Sequence, residues 1–319
     1  MSSERVLVTG ANGCLGAWVV KRLLDDGADV VAADVGTAEH RLRAVVDAAT
    51  LQRVARCRVD IADRAAVHQL VGEGGFTGMI HLAALQVPFC RADPTLGAQV
   101  NVVGTVNLME AYLAAGTLRG PFVFASSVAA YDPEDTGESN PGGRPRTLYG
   151  VYKLATEHAA AVYADERGLT SIGLRPHVVY GIGRDQGMTS SPTVAMLRAA
   201  AGKGSSISYS GASQLQYTDD VARMFIAASR AVVDGAHLYN VGGESVDMTE
   251  VVAAIELAAP DVSGRVAIDG SPLPFPAAPS EAGLVDAVGS ITRTSLVDGV
   301  AATIDGFRHL LDAQLVKIP

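Results

Sequence analysis

The chain has 319 residues, of which 48% are hydrophobic and 18% are charged, and its formal net charge is −9. This composition is typical of a globular protein with a sizeable core, and the lack of any basic block argues against nucleic acid or an anionic membrane surface as partners. The three cysteines are scattered without metal-ligand spacing, and the N-terminus runs directly into a strand-like segment. We therefore predict a cytoplasmic protein that binds no metal.

The first predicted element is a β-branched run at residues 5–9, followed by the glycine-rich turn GANGCLG at residues 10–16 and an apolar stretch with helical spacing. A strand, a glycine turn and a helix in this order form the phosphate-binding start of a dinucleotide fold. The spacing is G-x-x-G-x-x-G and departs from the G-x-G-x-x-G fingerprint. We predict that this turn binds the cofactor through Gly10, Asn12, Gly13, Cys14, Leu15 and Gly16.

The second predicted strand ends in an acidic residue, Asp34, about 20 positions beyond the turn. An acid at this point accepts hydrogen bonds from the adenosine ribose hydroxyls and repels a 2′-phosphate. No arginine follows it immediately, so NAD is preferred over NADP. Arg41 and Arg43 are near enough in sequence to keep the alternative open.

Strands and helices then alternate, with further strands predicted at residues 54–59, 77–81, 122–125 and 170–174. This alternation predicts an α/β fold, a Rossmann-type doubly wound parallel sheet with a smaller C-terminal substrate-binding subdomain. We predict an NAD-binding domain over residues 1–175, with some later segments returning to it at about 212–242, and a mainly substrate-binding subdomain over 176–319. Ligands bind at the carboxyl ends of such strands, where the sequence has Asp60, Ile61, Leu82, Ala83, Ala84, Ala125 and Ser127.

A helix is predicted to begin at Leu148 and to end at Arg167. Positions four apart lie on one face of a helix, so Tyr149 and Lys153 are stacked neighbours. A free tyrosine has a pKa of about 10, and an ammonium within roughly 4–6 Å favours the phenolate. The pair is therefore a candidate acid/base site.

These motifs in combination resemble the extended short-chain dehydrogenases/reductases, that is, the NAD-dependent epimerase/dehydratase family. The resemblance covers residue 5 to about 240 and rests on TGANGCLG, the Asp34 position, the Asp60-Ile61 pair, HLAA at 81–84, SSVAAY at 126–131 and the tyrosine–lysine pair. It implies a catalytic set of Ser127, Tyr149 and Lys153, with Ser126 as the fallback serine. Lys153 would keep Tyr149 near the phenolate and bind the nicotinamide ribose. By analogy with the family, we also predict a homodimer.

The resemblance further implies backbone contacts to the nicotinamide at Pro176 and His177, and we also assign Asn101 to the cofactor site. The glycine- and serine-rich loop at residues 182–192 is predicted to form a wall of the substrate cleft. Asp219 or Asp220 is predicted to cap a helix. The small-molecule substrate is predicted to contact Gln86, Ser127, Arg184, Thr189 and Gln214.

Departures from the family pattern help to choose among activities. Val128 and Ala129 stand where family dehydratases have an acidic pair, so dehydration is not expected. Val178, Ser213 and the run at 276–279 stand where nucleotide-sugar epimerases commonly have an asparagine and two arginines. A diphosphate without charged partners is costly to desolvate, although Arg184, Arg223 and Arg293 are possible substitutes.

The resulting hypothesis is an NAD-dependent dehydrogenase that acts on a small sugar, sugar acid or polyol. The alternative is a nucleotide-sugar epimerase that retains its NAD. A more remote alternative is a non-catalytic NAD-binding regulator with the same fold.

Overall fold

A computed structural model of the chain describes residues 4–132, 144–276, 279–281 and 283–319. Its strands are β1 (Arg5–Thr9), β2 (Asp29–Asp34), β3 (Ala55–Arg58), β4 (Gly78–His81), β5 (Phe122–Ala125), β6 (Ser171–Arg175), β7 (Val178–Tyr180), β8 (Ser205–Ile207), β9 (Ala212–Tyr217), β10 (Ala236–Asn240), β11 (Glu244–Asp247) and β12 (Val266–Ile268). Its α-helices are α1 (Cys14–Asp25), α2 (His40–Val45), α3 (Ala48–Gln52), α4 (Arg64–Gly74), α5 (Val87–Ala92), α6 (Pro94–Ala98), α7 (Gly104–Ala115), α8 (Leu148–Arg167), α9 (Ser191–Ala200), α10 (Thr218–Ser229), α11 (Met248–Ala258), α12 (Leu284–Val288) and α13 (Leu296–Asp312).

The main sheet has seven strands in the order β10-β6-β5-β4-β1-β2-β3, and each neighbouring pair is parallel. The prediction of a Rossmann-type doubly wound sheet is therefore confirmed. Thr9 at the end of β1 is in register with Ala33 of β2 and with His81 of β4. The chain reverses its direction of winding between β1 and β4, so a crevice opens there at the carboxyl edge, where ligands bind in such folds.

Both faces of this sheet are covered by helices, which explains why its inner strands are continuous apolar runs. Val6 and Val8 of β1 point into one core with Trp18 of α1 and Phe225 of α10. Leu7 points to the opposite face and packs in a second core, with residues of α4, α7 and α8. The turn after β1 is thus held by buried structure on both sides.

A smaller assembly follows β6. It contains the three-stranded sheet β11-β9-β7 and the parallel pair β12-β8, with α9, α11 and α13 packed together. After β9 the chain returns through α10, which packs on α1, and adds β10 to the edge of the main sheet. The division into a domain over 1–175 and a subdomain over 176–319 remains a prediction.

One local expectation was wrong. Neither Asp219 nor Asp220 caps α10, which has no side-chain cap; instead Asp219 pairs with Arg22, and Asp220 accepts from the backbone N–H of Thr294 at 2.7 Å. The chain is helical from Pro94 to Ala115, with a π-helical turn at Gln99–Val103 between α6 and α7. No helix in the described ranges has the length and apolar character needed to cross a membrane.

Candidate active site

A cavity of about 650 Å³ opens at the carboxyl edge of the main sheet. Its wall includes Asp34 and Asp60, which follow β2 and β3, and Arg184 and Thr189, which lie in the loop after β7. Almost all residues assigned to the site from sequence line its wall: Gly10, Asn12, Gly13, Cys14, Leu15, Gly16, Asp34, Asp60, Ile61, Leu82, Ala83, Ala84, Gln86, Ala125, Ser127, Tyr149, Lys153, Pro176, His177, Arg184 and Thr189.

The glycine-rich turn is shaped to receive a phosphate group. Gly10 has φ +70°, and a Cβ on it would lie 2.5 Å from the backbone nitrogen of Ala83. Gly16 packs so tightly that a Cβ would collide with the carbonyl oxygen of Gly10. Helix α1 begins directly after Gly13 without a side-chain cap, so its first N–H groups and the positive end of its dipole face the cavity.

Substitution of Gly16 by alanine is expected to lower both stability and NAD affinity, because the backbone of the turn cannot accommodate the methyl group. Overpacking of this kind costs about 1–3 kcal/mol of unfolding free energy. The matched control is Gly72→Ala in α4, where a Cβ meets nothing within 4 Å; it should change stability by at most about +1 kcal/mol. Urea unfolding and calorimetric NAD titration measure the two effects, and equal behaviour of the variants would contradict the packing argument.

The part of the cavity wall around Asp34 fits a ribose without a 2′-phosphate. The Asp34 carboxylate lines the wall and accepts from the backbone N–H groups of Asn12 at 3.0 Å and Gly36 at 2.9 Å. The Arg41 guanidinium is engaged by Asp185 at 2.7 Å and by the carbonyl of Asn12 at 3.1 Å. Arg43 pairs with Glu39 at 3.5 Å. Arg41 is therefore already engaged by groups of the protein, and Arg43 does not line the cavity.

Three side chains of the cavity wall, Ser127, Tyr149 and Lys153, are arranged as a candidate acid/base site. Ser127 follows β5, and its Oγ accepts from the N–H of Ala129 at 3.1 Å, which fixes the side chain. Ser127 and Tyr149 both line the cavity, and the Ser127 side chain acts to lower the pKa of Tyr149. Lys153 lies one turn further along α8, with Nζ 5.6 Å from the centroid of the Tyr149 ring and 2.6 Å from the carbonyl oxygen of Ala125, to which it donates.

Ser126 is not an equivalent candidate. Its hydroxyl is buried and donates to Glu157, one turn beyond Lys153 on α8. The choice of Ser127 rather than Ser126 therefore follows from the hydrogen bonds that each serine makes.

The electrostatics of this group differ from the expectation drawn from sequence. Burial raises the pKa of Tyr149, against the opposing effects of the Ser127 hydrogen bond and the Arg184 guanidinium. Burial also lowers the pKa of Lys153 to about 8, against the opposing influence of Cys90 and Glu157. In the free protein, burial therefore outweighs the groups that favour a Tyr149 phenolate, and it disfavours the charged form of Lys153 as well.

The lowered pKa of Lys153 predicts a pH dependence of stability. Between pH about 8 and the ordinary value of 10.5, the unfolded chain binds more protons than the folded one, so stability rises with pH. The unfolding free energy of the wild type should therefore increase relative to that of Lys153→Met across this window. Urea unfolding of both proteins at pH 7 and pH 10 measures the difference, and a change of the opposite sign would show that Lys153 is not buried as an uncompensated cation.

His177 is positioned differently from the expectation. Its backbone N–H donates to Gln216 Oε1 at 2.8 Å, so it is not free for a nicotinamide. Burial lowers the pKa of His177 to about 4, and the neutral ring donates from Nε2 to the carbonyl of Pro276 at 2.8 Å. Its Nδ1 is left as a buried acceptor without a partner.

Two of the residues predicted from sequence do not reach the cavity wall. Asn101, in the π-helical turn, is buried and binds the backbone of Leu85, accepting from its N–H at 2.7 Å and donating to its carbonyl at 2.9 Å. It supports the loop after β4 that carries Gln86 to the wall. Gln214 of β9 is also buried and donates to the carbonyl of Pro279 at 3.1 Å. The side-chain amide of each residue is therefore hydrogen-bonded to the backbone and does not line the cavity.

Helix α7, which continues from the π-helical turn that contains Asn101, supports a second loop of the cavity wall. Asn107 of α7 donates to the carbonyl of Ile61 at 2.9 Å. The segment from the π-helical turn through α7 thus holds the loops that follow both β3 and β4.

Sequence reasoning missed a buried polar network next to the candidate acid/base group. Arg175, at the end of β6, is 0% exposed and donates to both carboxylate oxygens of Glu157 at 2.7 and 2.8 Å. It also donates to the hydroxyl of Tyr131 at 2.9 Å, and Tyr131 in turn donates to Asn240 at 3.0 Å. The single charged residue of β6, Arg175, was the available signal. The network ties α8, which carries Tyr149 and Lys153, to the strands of the main sheet.

In the described part of the chain, no group of three or more His, Cys, Asp or Glu side chains could hold a metal ion. All three cysteines lie in described residues and are free thiols.

A parallel dinucleotide-type sheet and a serine–tyrosine–lysine group in one crevice define the class of nicotinamide-dependent short-chain dehydrogenases/reductases of the extended type. A model of the NAD dependent epimerase/dehydratase family matches residues 6–242, and the chain belongs to this family. Family members are NAD-dependent enzymes that include epimerases, dehydrogenases and reductases. NAD is the cofactor, as predicted from Asp34.

Individual relatives differ in their reactions. The chain is 32% identical to a UDP-glucose 4-epimerase of Mycolicibacterium smegmatis over 274 residues, which cover 81% of this chain and 84% of that protein. It is 33% identical to an L-arabinose 1-dehydrogenase (NAD(P)(+)) of Haloferax volcanii over 187 residues, or 54% of this chain and 65% of that protein. The crystal structure of the Thermus thermophilus UDP-glucose 4-epimerase in complex with NAD superposes with a TM-score of 0.77 at 29% identity, covering 95% of this chain and 99% of that one.

Proposed function

We propose that the protein is an NAD-dependent dehydrogenase that interconverts a hydroxyl and a carbonyl group on a small sugar, sugar acid or polyol. The bound cofactor supplies the hydride-accepting and hydride-donating chemistry of this reaction. The glycine-rich turn would hold its diphosphate, Asp34 its adenosine ribose and Lys153 its nicotinamide ribose. The remaining chemistry belongs to side chains of this chain.

Tyr149 is the proposed acid/base. Its phenol exchanges a proton with the substrate oxygen, which gains or loses its hydrogen as the carbon is reduced or oxidised. Ser127 donates a hydrogen bond to the same oxygen and stabilises the charge that develops there. Both groups are half-buried in the free protein, and a bound substrate would exclude water from these hydrogen bonds and strengthen them.

One observation favours a substrate without a nucleotide. Of the three arginines that are possible substitutes for diphosphate contacts, only Arg184 lines the cavity. Arg223 pairs with Asp219 at 3.0 Å, and Arg293 pairs with Glu281. A diphosphate brings at least two negative charges, and a single arginine leaves one of them without a charged partner in a desolvated site. Ala277 and Ala278 of the proline-rich run lie outside the described residues.

The second candidate is a nucleotide-sugar epimerase with retained NAD, which is favoured by the 32% identity to a UDP-glucose 4-epimerase. Incubation with free NAD and a panel of sugars, sugar acids, polyols and UDP-sugars separates the two. The dehydrogenase accumulates NADH absorbance with a substrate that has no nucleotide. Isomerised UDP-sugar without net NADH would reject the proposal in favour of the epimerase, and NAD binding without turnover of any panel member would favour the regulator.

We also propose that the protein is a homodimer in the cytoplasm, associated through α7 and α8. These helices pack together, and α8 exposes Val151 and Val162, which lie 11 residues apart and therefore on one face. Val162→Asp is expected to yield a monomer in sedimentation analysis, because it places a charge in an apolar interface. Val232→Asp, at a fully exposed valine outside these helices, is the control and should leave the dimer intact. A monomeric wild type would contradict the proposal.

A further inference from the structure

We propose that Arg184 binds a carboxylate of the substrate, which makes the substrate a hydroxy acid of the sugar-acid type and not a neutral sugar or polyol. This inference rests on the proposed function, since it concerns the same cavity. Arg184 lies in the loop after β7 and lines the cavity. Its Nη2 donates to Thr189 Oγ1 at 2.9 Å, but its Nε is buried and has no partner.

The surroundings of Arg184 favour the binding of an anion. In the part of the chain that the structure describes, Arg184 has no acidic partner, and the adjacent Asp185 is taken by Arg41 at 2.7 Å and His40 at 3.1 Å. Lys153 is a further cation in the wall of the same cavity, whereas the ring of His177 is neutral. A guanidinium without a counterion in a partly desolvated site is costly, and a planar carboxylate satisfies it with two parallel hydrogen bonds.

A neighbouring acceptor suits the hydroxyl groups of such an acid. Gln86 comes from the loop after β4, and its Oε1 is buried without a partner. The loop at residues 182–192 brings Gln86 close to Arg184. A Cβ added to Gly187 in this loop would collide with Gln86 Oε1 and would lie 3.2 Å from Arg184 Nη2. Gly187, at φ +98°, leaves this space open. A cation and an unpartnered acceptor side by side match a carboxylate and a hydroxyl on adjacent carbons.

The guanidinium is also coupled to the reacting centre. Arg184 lowers the pKa of Tyr149 against the larger effect of burial, so its charge acts on the phenol. Arg184 and Tyr149 line the same cavity, so a carboxylate held by Arg184 would lie in the same enclosed space as the substrate oxygen that exchanges its proton with Tyr149.

The competing ligand for Arg184 is the cofactor diphosphate. Burial raises the pKa of Cys14 to about 12, and Arg184 and Arg41 act in the opposite direction, so Arg184 also acts on the glycine-rich turn. Its hydrogen bond to Thr189 and its position beside Gln86 favour the substrate side. The experiment must separate these two ligands.

The test uses the full-length protein loaded with NAD, together with Arg184→Gln, Arg184→Lys and the matched control Arg223→Gln, which removes an arginine outside the cavity. Calorimetry measures binding of D-glucuronate against D-glucose, D-galacturonate against D-galactose, and D-gluconate against D-glucitol. A second titration measures NAD binding to each unloaded protein. NADH absorbance is recorded for every compound.

At least one acid should bind the wild type roughly 10- to 100-fold more tightly than its neutral counterpart. Arg184→Gln should abolish that preference, Arg184→Lys should retain part of it, and Arg223→Gln should keep it, with NAD affinity similar in all four proteins. Three results would overturn the inference: acids that bind no better than neutral compounds, acids that do not bind at all, or a loss of about tenfold in NAD affinity in Arg184→Gln.

The NADH record keeps the two proposals distinguishable. Acids that bind through Arg184 without forming NADH reject the dehydrogenase and leave the carboxylate site in place. NADH formed from neutral sugars but not from acids supports the dehydrogenase and rejects the carboxylate site.

Discussion

Replacement of Tyr149 by phenylalanine is expected to lower kcat by about 10²- to 10⁴-fold, the usual contribution of a positioned acid/base group. The substitution removes one hydroxyl from a half-buried phenol that lines the cavity with Ser127, and it leaves the ring in place against the cavity wall. NAD affinity should change little, because the glycine-rich turn and Asp34 are untouched. Steady-state kinetics with a substrate from the panel and calorimetric NAD titration measure the two quantities.

The matched control is Tyr152→Phe, which removes the same atom from the same helix. The Tyr152 hydroxyl donates to the carbonyl of Pro94 at 2.9 Å and lies outside the cavity. This variant should turn over at close to the wild-type rate. Undiminished turnover in Tyr149→Phe would remove the proposed mechanism.

Replacement of Arg175 by methionine is expected to destabilise the protein by about 3–5 kcal/mol, because it leaves the Glu157 carboxylate buried without its counterion. Both side chains are almost completely buried, at 0% and 2% exposed. Removal of both charges in Arg175→Met/Glu157→Met should recover much of the loss, since an apolar pair of similar volume replaces a desolvated ion pair at little cost. Urea unfolding provides the free energies.

The control for this series is Lys21→Gln, which breaks an exposed pair with Asp25 on α1 and should cost less than about 1 kcal/mol. A single Arg175→Met variant as stable as this control would contradict the assignment of Glu157 and Arg175 as a coupled buried pair.

The elements that build the site were readable from sequence because their signals are local. The strand at 5–9, the strand at 122–125 and the helix from Leu148 to Arg167 all lie within the predicted bounds. Buried parallel strands are continuous apolar runs, and α8 begins after the capping residue Thr147 and ends at Gly168, which adopts the left-handed conformation. The predicted site residues lie together because they follow strands that end at one edge.

The strand pairing of the smaller assembly could not be predicted from such local signals. β7 has only three residues, and it pairs with β9 more than 30 residues further along the chain, while β9 pairs in turn with β11. Such pairing depends on contacts distant in sequence, and local propensity carries little information about it. The pKa of Tyr149 and the burial of Glu157 also depend on what surrounds them in three dimensions, and no spacing in the sequence encodes that.

The π-helical turn before α7 has a mechanical consequence. Because each residue of a helix advances the side chains by about 100°, removal of Val102 or Val103 would turn Asn101 and Asn107 out of phase with each other. The two amides hold the loops after β4 and β3, which both line the cavity. One continuous helical segment therefore sets the distance between these two loops, so a tilt of that segment would displace both parts of the cavity wall together.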